Sequence, residues 1–340
     1  MMTTLGGCSS VYYLYQAGRG QLKLLNRSRP VDDVINDPAT NTDLADLLKK
    51  IPEIKAYGEH EGLKPTKNYR DYVQLDQDAV VYVVTVSEEL EFKPKIFSFP
   101  IVGSFNYIGW FGLEDAKKFA KTYADQGYDI DVRGASAYST LGWFRDPLLS
   151  TMISKEPGGK ISPEAYADLV NVFLHESVHA TVYISGQSSF NESLAVFVAD
   201  KLTAQYFLDS HQDKTAGYQS YVALQKRYET IRIRLNGLYK ELKTVYDSGE
   251  KAEAKRAKKE AMITALQDEM HFKRKITNAT LIQYETYHSS EDDFRMLYEK
   301  TGKDIHKFMK IMGSLTEKDF SKPQQENLKD VMEKLAKENR

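Results

Sequence analysis

His175-Glu176-Ser177-Val178-His179 sets two imidazoles four residues apart with a carboxylate between them. On a helix, positions i and i+4 share one face. Both rings can therefore reach a single metal ion, with Glu176 beside it as a base. The chain has 7 histidines in 340 residues, so chance placement of this pattern has odds of about 1% from composition. The flanks add to it. Ser162-Pro163-Glu164 predicts an N-cap, a proline at N1 and an acid in the first turn. Ala165, Leu169, Val172, Phe173, Val178 and Val182 then supply an apolar helical face, and Ser177, Ala180 and Thr181 add no charge. The bland alternative is two surface histidines on an ordinary helix. A mostly apolar run argues against it, because buried ionisable groups need partners.

A two-histidine site needs a third ligand, and Glu192 is the first carboxylate after His179. Ile184-Ser185-Gly186-Gln187-Ser188 breaks the helix. A second helix is expected from about Ser189 through Leu194, Phe197, Val198, Leu202 and Phe207. This arrangement can fold Glu192 back over the histidine pair. Ser189-x-x-Glu192 also fits a capping box, in which Glu192 would instead bond the N-cap amide, and that alternative stays open here. Asp200, two turns on, is either a partner for a ligand histidine or a solvated acid.

The pentad followed by Asn-Glu on the next helix resembles gluzincin metallopeptidases. Ala137-Tyr138-Ser139-Thr140-Leu141-Gly142-Trp143-Phe144 with Asp146-Pro147-Leu148-Leu149 is similar to the hallmark block of the bacterial putative aminopeptidase family, many of whose members are lipoproteins. Gly7-Cys8, Gln16-Ala17-Gly18-x-Gly20-Gln21-Leu22, Arg29-Pro30, Phe190-Asn191-Glu192-Ser193 and Asn278-Ala279 extend the likeness over nearly the whole chain. The resemblance implies Zn²⁺ at His175, His179 and Glu192, Glu176 as general base, and Tyr287 as the donor to the oxyanion. It also implies substrate contacts from Tyr138 and Asn191, with residues 133–139 as an edge strand pairing the substrate backbone. A rival for that block is conformational, with Gly142 turning the chain and Trp143 and Phe144 filling the core. The resemblance also implies cysteines near positions 98–104, where this chain has Ser98 and Ser104.

Composition fits a globular protein, with 41% hydrophobic and 28% charged residues. A formal net charge of −2 gives no basis for a nucleic-acid partner. No apolar run reaches transmembrane length, and Cys8 is the only cysteine, so there is no intrachain disulfide. Leu5-Gly6-Gly7-Cys8-Ser9-Ser10 resembles the end of a lipoprotein signal without the charged and apolar regions that precede one. With the family likeness, the expectation is a lipid on Cys8 and a place on the periplasmic side of a bacterial membrane. If the match is accidental, a cytoplasmic location follows.

The expected fold is α+β and mostly helical, with a small β-sheet whose edge strand lies beside the HExxH helix, plus a long αα-hairpin. Residues 1–30 read as an N-terminal tether and helix (Val11 to Leu25). Residues 31–210 read as the catalytic α+β region, with two helices between Val31 and Gly58 and strands at Val80–Val86, Lys95–Val102 and Asp129–Arg133. An amphipathic helix from Leu113 to Gln126 ends at Gly127. Residues 211–276 read as the hairpin, with arms Tyr218–Asp247 and Lys251–Lys275, projecting from the body. Residues 277–340 read as a helical region packing on the catalytic part. The leading functional reading is zinc-dependent hydrolysis of a peptide substrate, most naturally by an aminopeptidase. The alternatives are an endopeptidase on cell-wall or periplasmic peptides, and a lipid-anchored scaffold or pseudoenzyme working through the hairpin.

Overall fold

The structure, a computed structural model, describes residues 7–99, 103–137, 145–288, 291–325 and 327–338. It is α+β and mostly helical. A 21-residue helix, α1 (Gly7–Arg27), opens the chain. A short strand, β1 (Arg29–Pro30), leads into α2 (Val31–Ile35), α3 (Thr42–Leu48) and α4 (Ile51–His60). Three helices thus stand where two were expected. Proline restricts the residue before it, here Asp37, to extended backbone. Asn41 then caps a new helix, its Oδ1 accepting from the Asp43 and Leu44 amides. Pro52 sits in the first turn of α4, where no amide is needed.

The strands follow as β2 (Asp71–Val73), β3 (Val81–Ser87), β4 (Phe97–Phe99), β5 (Gly103–Phe105) and β6 (Ile108–Trp110). After α5 (Leu113–Ala124) come β7 (Asp129–Ala135) and β8 (Leu148–Leu149). The main sheet is antiparallel in the order β6-β3-β7, with Thr85 opposite Asp131 and Val83 opposite Arg133. Its central strand is buried on both faces. Val84 and Val86 pack with Ala116 and Ala120 of α5, while Val81 and Val83 join the principal core. β7 is an edge, and Thr277 Oγ1 bonds its Ile130 carbonyl at 3.1 Å. Ser98 and Ser104 face each other across β4 and β5 and share a 2.8 Å hydrogen bond. The two serines thus meet where the resemblance implied cysteines.

The second half is helical: α6 (Ala165–Thr181), α7 (Ser188–Asp209), α8 (Ala216–Asp247), α9 (Ala252–Met270), α10 (Asn278–His288), α11 (Glu291–Lys300), α12 (Ile305–Met312) and α13 (Lys329–Glu338). α10 lies against the face of the main sheet opposite α5, through Gln283 to Thr85 and Thr280 to Asp131. α7 packs on α10, and α6 packs on α7. The largest core joins residues from Leu24 to Leu335 around α6 and α7. α8, about 48 Å long for its 32 residues, bridges the two halves. Its N-terminal turn packs on α6, where a Cβ on Gly217 would lie 2.4 Å from the Pro163 carbonyl. Its C-terminal half buries Leu235, Leu238, Leu242 and Tyr246 against Ile263 and Leu266 of α9. α9 does not stand away from the body. Lys259 bonds Asp129 of β7 and the Glu89 carbonyl, and Arg256 pairs with Glu89. Among the described residues no helix is long and apolar enough to cross a membrane.

Candidate metal centre

α6 begins at Ala165, whose amide bonds the Ser162 carbonyl, and its N-cap position falls at Glu164. The helix starts two residues later than the Ser-Pro-Glu signal implied. Nearly all its sides are covered, from Ala165 and Leu169 to Phe173, Leu174 and Val178, so its two histidines stand in a packed wall. The chain then turns at Gly186, in the left-handed region with φ +74°, and α7 runs back along α6.

The alternative, a capping box of Ser189 and Glu192, does not form, since α7 starts earlier with Gln187 at its N-cap and no side-chain cap bond. The Glu192 carboxylate turns to the histidines instead. Its Oε2 lies 3.4 Å from His175 Nε2 and 3.5 Å from His179 Nε2, and the two nitrogens are 3.2 Å apart. Ligands bound at about 2.05 Å in tetrahedral geometry are separated by about 3.3 Å, so the triangle has the size of one face of a zinc coordination shell. The chemistry agrees. With both rings unprotonated at Nε2, three lone pairs would face one point in a largely buried site, an arrangement that favours a cation among them. His175, His179 and Glu192 could hold a metal ion. Burial raises the Glu192 carboxyl, but the charges and hydrogen bonds of the two imidazoles outweigh it and hold the group well below the usual carboxylate range.

Glu176 stands on the same helix with its carboxyl pushed up to about 7. Burial is the main cause. His175 opposes it, and Glu192 and Asp146 add to the rise. Its Oε2 has no hydrogen-bond partner among the described residues. The group is therefore a basic carboxylate with an open acceptor, which is what proton abstraction near pH 7 requires.

Several residues of the site are not foreshadowed by spacing. Tyr107, from the corner before β6, donates its hydroxyl to Glu192 Oε1 at 3.1 Å, which leaves Oε2 to face the histidines. Tyr69 is buried beside Glu176 and Asp146 and packs on Phe173 with the rings tilted, its backbone in the left-handed region at φ +62°. A bulky residue there is an outlier of the sort that gathers at functional sites. Its amide bonds the Asp146 carbonyl at 2.7 Å. Tyr183, in the turn after α6, is pushed up to about 12 by burial and the Glu192 charge. Gln324, also left-handed at φ +53°, stitches the turn from afar. Its amide bonds the Gly186 carbonyl, its Oε1 accepts the Ser188 amide, and its Nε2 bonds Ser104 of β5.

Other expected site residues fall elsewhere. Asn191 is buried, and both its amide groups are used on the backbone of Ile184, at 2.8 Å each. It braces the α6–α7 turn. Tyr138 lies outside the described residues. Tyr287 lies on α10, but its side chain is outside them. Asp200 is exposed and accepts a bond from Asn171 Nδ2, without a bond to either histidine.

The fold and the three-ligand cluster thus define an α+β protein with a candidate metal centre on paired helices. Residues 12–328 match the model of the family described as putative aminopeptidase, and the chain belongs to that family. Membership indicates a peptidase. No curated protein and no solved structure gives a match.

Proposed function

We propose that this chain is a zinc-dependent peptidase of gluzincin type, acting as an aminopeptidase. The observation that carries the reading is the triangle of His175 Nε2, His179 Nε2 and Glu192 Oε2, with edges of 3.2, 3.4 and 3.5 Å, beside the unpartnered Glu176 carboxylate. Zn²⁺, when bound there, supplies Lewis-acid polarisation of a carbonyl and acidifies water. The residues of the chain do the rest. Glu176 takes the proton from the attacking water and returns it to the leaving amine. Tyr107 keeps Glu192 turned towards the histidines. Tyr287 and Tyr138 are proposed for the oxyanion and the substrate on the family likeness alone.

An aminopeptidase also needs an acid facing the free α-amine. Asp146 acts on the Glu176 charge and shares a backbone bond with Tyr69 beside it, so Asp146 is the acid proposed for that role. For location, the Cys8 context supports a lipid anchor on the periplasmic side. Membrane fractionation of the native and Cys8→Ala forms tests it, and identical partitioning would remove the anchor.

The central experiment is Glu176→Gln. About one zinc per chain should remain, while peptide turnover falls by about 10³-fold or more. Zinc near zero in protein purified without chelator would dispose of the site, and full turnover in the variant would dispose of the mechanism. Comparing a peptide with its N-acetylated form separates aminopeptidase from endopeptidase action.

A further inference from the structure

Among the described residues seven large hydrophobic side chains stand exposed, and four of them, Tyr12, Leu14, Tyr15 and Leu22, are on α1. Tyr12 is turned to the body: its hydroxyl donates to Asp115 Oδ1 at 3.2 Å and its ring meets Trp110. Leu14, Tyr15 and Leu22 are 58%, 62% and 61% exposed. At about 100° per residue they fall, with Gly18, in one stripe about 100° wide. A Cβ on Gly18 would meet nothing within 4 Å, so the stripe lies open at its middle. The opposite side of the helix is held. Gln16 bonds the Gly109 carbonyl of β6 and accepts the Phe111 amide, Tyr13 meets Trp110 edge to face, and Leu24 enters the principal core. Single exposed apolar residues are ordinary, but a stripe fixed outward on one helix marks an interaction surface.

Charge identifies the partner. α1 carries three cations and no acid, in a chain whose formal net charge is −2. Arg27 is paired with Asp76. Arg19 and Lys23 are exposed along one border of the stripe, and neither is in an ion pair among the described residues. Leucines that can enter an acyl boundary, a tyrosine that sits at headgroup level and cations that reach lipid phosphates are the parts of a helix lying in a bilayer interface. A second copy of the chain fits less well, because a twofold pairing sets the same two cations against each other. We infer that the outer face of α1 is a docking surface for a bilayer containing anionic lipid, with the helix axis in the membrane plane.

The spacing of the chain agrees. Cys8 lies seven residues before Tyr15 and fourteen before Leu22, an interval that nearly preserves one helical face. A lipid on Cys8 would enter the same surface. The docking face goes beyond that anchor and does not depend on it, since its contacts come from Leu14, Tyr15, Leu22, Arg19 and Lys23.

The test uses the full chain as Cys8→Ser, so that no acyl chain contributes, in flotation with vesicles of phosphatidylcholine alone or mixed with phosphatidylglycerol. Binding to the anionic vesicles should be tighter by about tenfold or more, and Arg19→Gln with Lys23→Gln should remove most of that preference. Leu22→Glu should weaken binding about tenfold or more, while Leu208→Glu, exposed on α7, should leave it unchanged. Gly18→Leu adds an apolar side chain at an open position and should strengthen binding about threefold. Equal binding to both kinds of vesicle, binding to neither, or binding untouched by Leu22→Glu overturns the inference. So does a dimer in analytical sedimentation that Leu22→Glu dissolves, which would give the face to a second copy. Vesicle binding by the Cys8→Ser chain with this pattern upholds the face, whatever becomes of the lipid on Cys8 or of peptide turnover.

Discussion

The α6–α7 pair and the α8–α9 pair are both helices joined by a short turn, and they are held in opposite ways. α6 and α7 are fixed by groups from far along the chain: Gln324 on both sides of the turn, Lys322 on Gln187, Thr286 on Ser193, and Tyr107 on Glu192. α8 and α9 pair through an apolar stripe and the exposed Arg234–Glu269 ion pair, and their turn is held locally, by Lys258 on Glu250 and Lys255 on the Tyr246 carbonyl, while Lys259 on Asp129 ties α9 to the sheet. Exposed pairs contribute little, whereas buried hydrogen bonds fix geometry and are costly to break. The molecule places directional bonds where atoms must stand within fractions of an ångström, and periodic hydrophobicity where a helix need only lie down.

The sharpest way to break this contrast is to relieve the burden that the metal pair carries. Glu176 is an acid whose carboxyl is raised to about 7 in the folded chain. Below its ordinary value both states are protonated and nothing is lost. As pH rises the unfolded chain ionises first, so stability falls, and the cost is complete above about 7. In chelator, Glu176→Gln should therefore unfold with the native protein at pH 4 and be more stable by about 2–3 kcal/mol at pH 8. Thermal melts across pH read this directly, and a gap that is constant with pH would refute it.

Next in size is Tyr107→Phe. Removing the hydroxyl from Glu192 Oε1 should weaken zinc about 10- to 100-fold, seen by competition with a chromophoric chelator, with little change in fold. Gln324→Ala takes two bonds from the neighbourhood of the turn and should cost about 1–2 kcal/mol by urea unfolding, with weaker zinc binding alongside. Arg234→Ala on α8 is the smallest, within about 0.5 kcal/mol. If it cost as much as Gln324→Ala, the contrast between the two pairs would fail.

The same contrast explains what could be read from the chain alone. α8, α9, β3 and the pentad helix declare themselves by period, and His175, His179 and Glu192 are within 18 residues of one another. Tyr107, Tyr69 and Gln324 carry no such mark, because their roles arise only when distant segments meet. Asn191 carries a related lesson. Next to a ligand, a polar residue suggests substrate, yet here it satisfies the backbone of a buried turn. Two helices were expected between Val31 and Gly58 because the period of Leu44, Leu47, Leu48 and Ile51 runs straight across the break between α3 and α4.

Gln324 also sets an order in time. The histidines and Glu192 leave the ribosome almost together, but the residue that caps their turn is made 136 residues after Ser188. Until then the Ser188 amide lacks that acceptor, and the turn rests on Asn191, whose side chain bonds the Ile184 backbone. The set of bonds around the candidate metal site is thus completed only in the last stretch of synthesis.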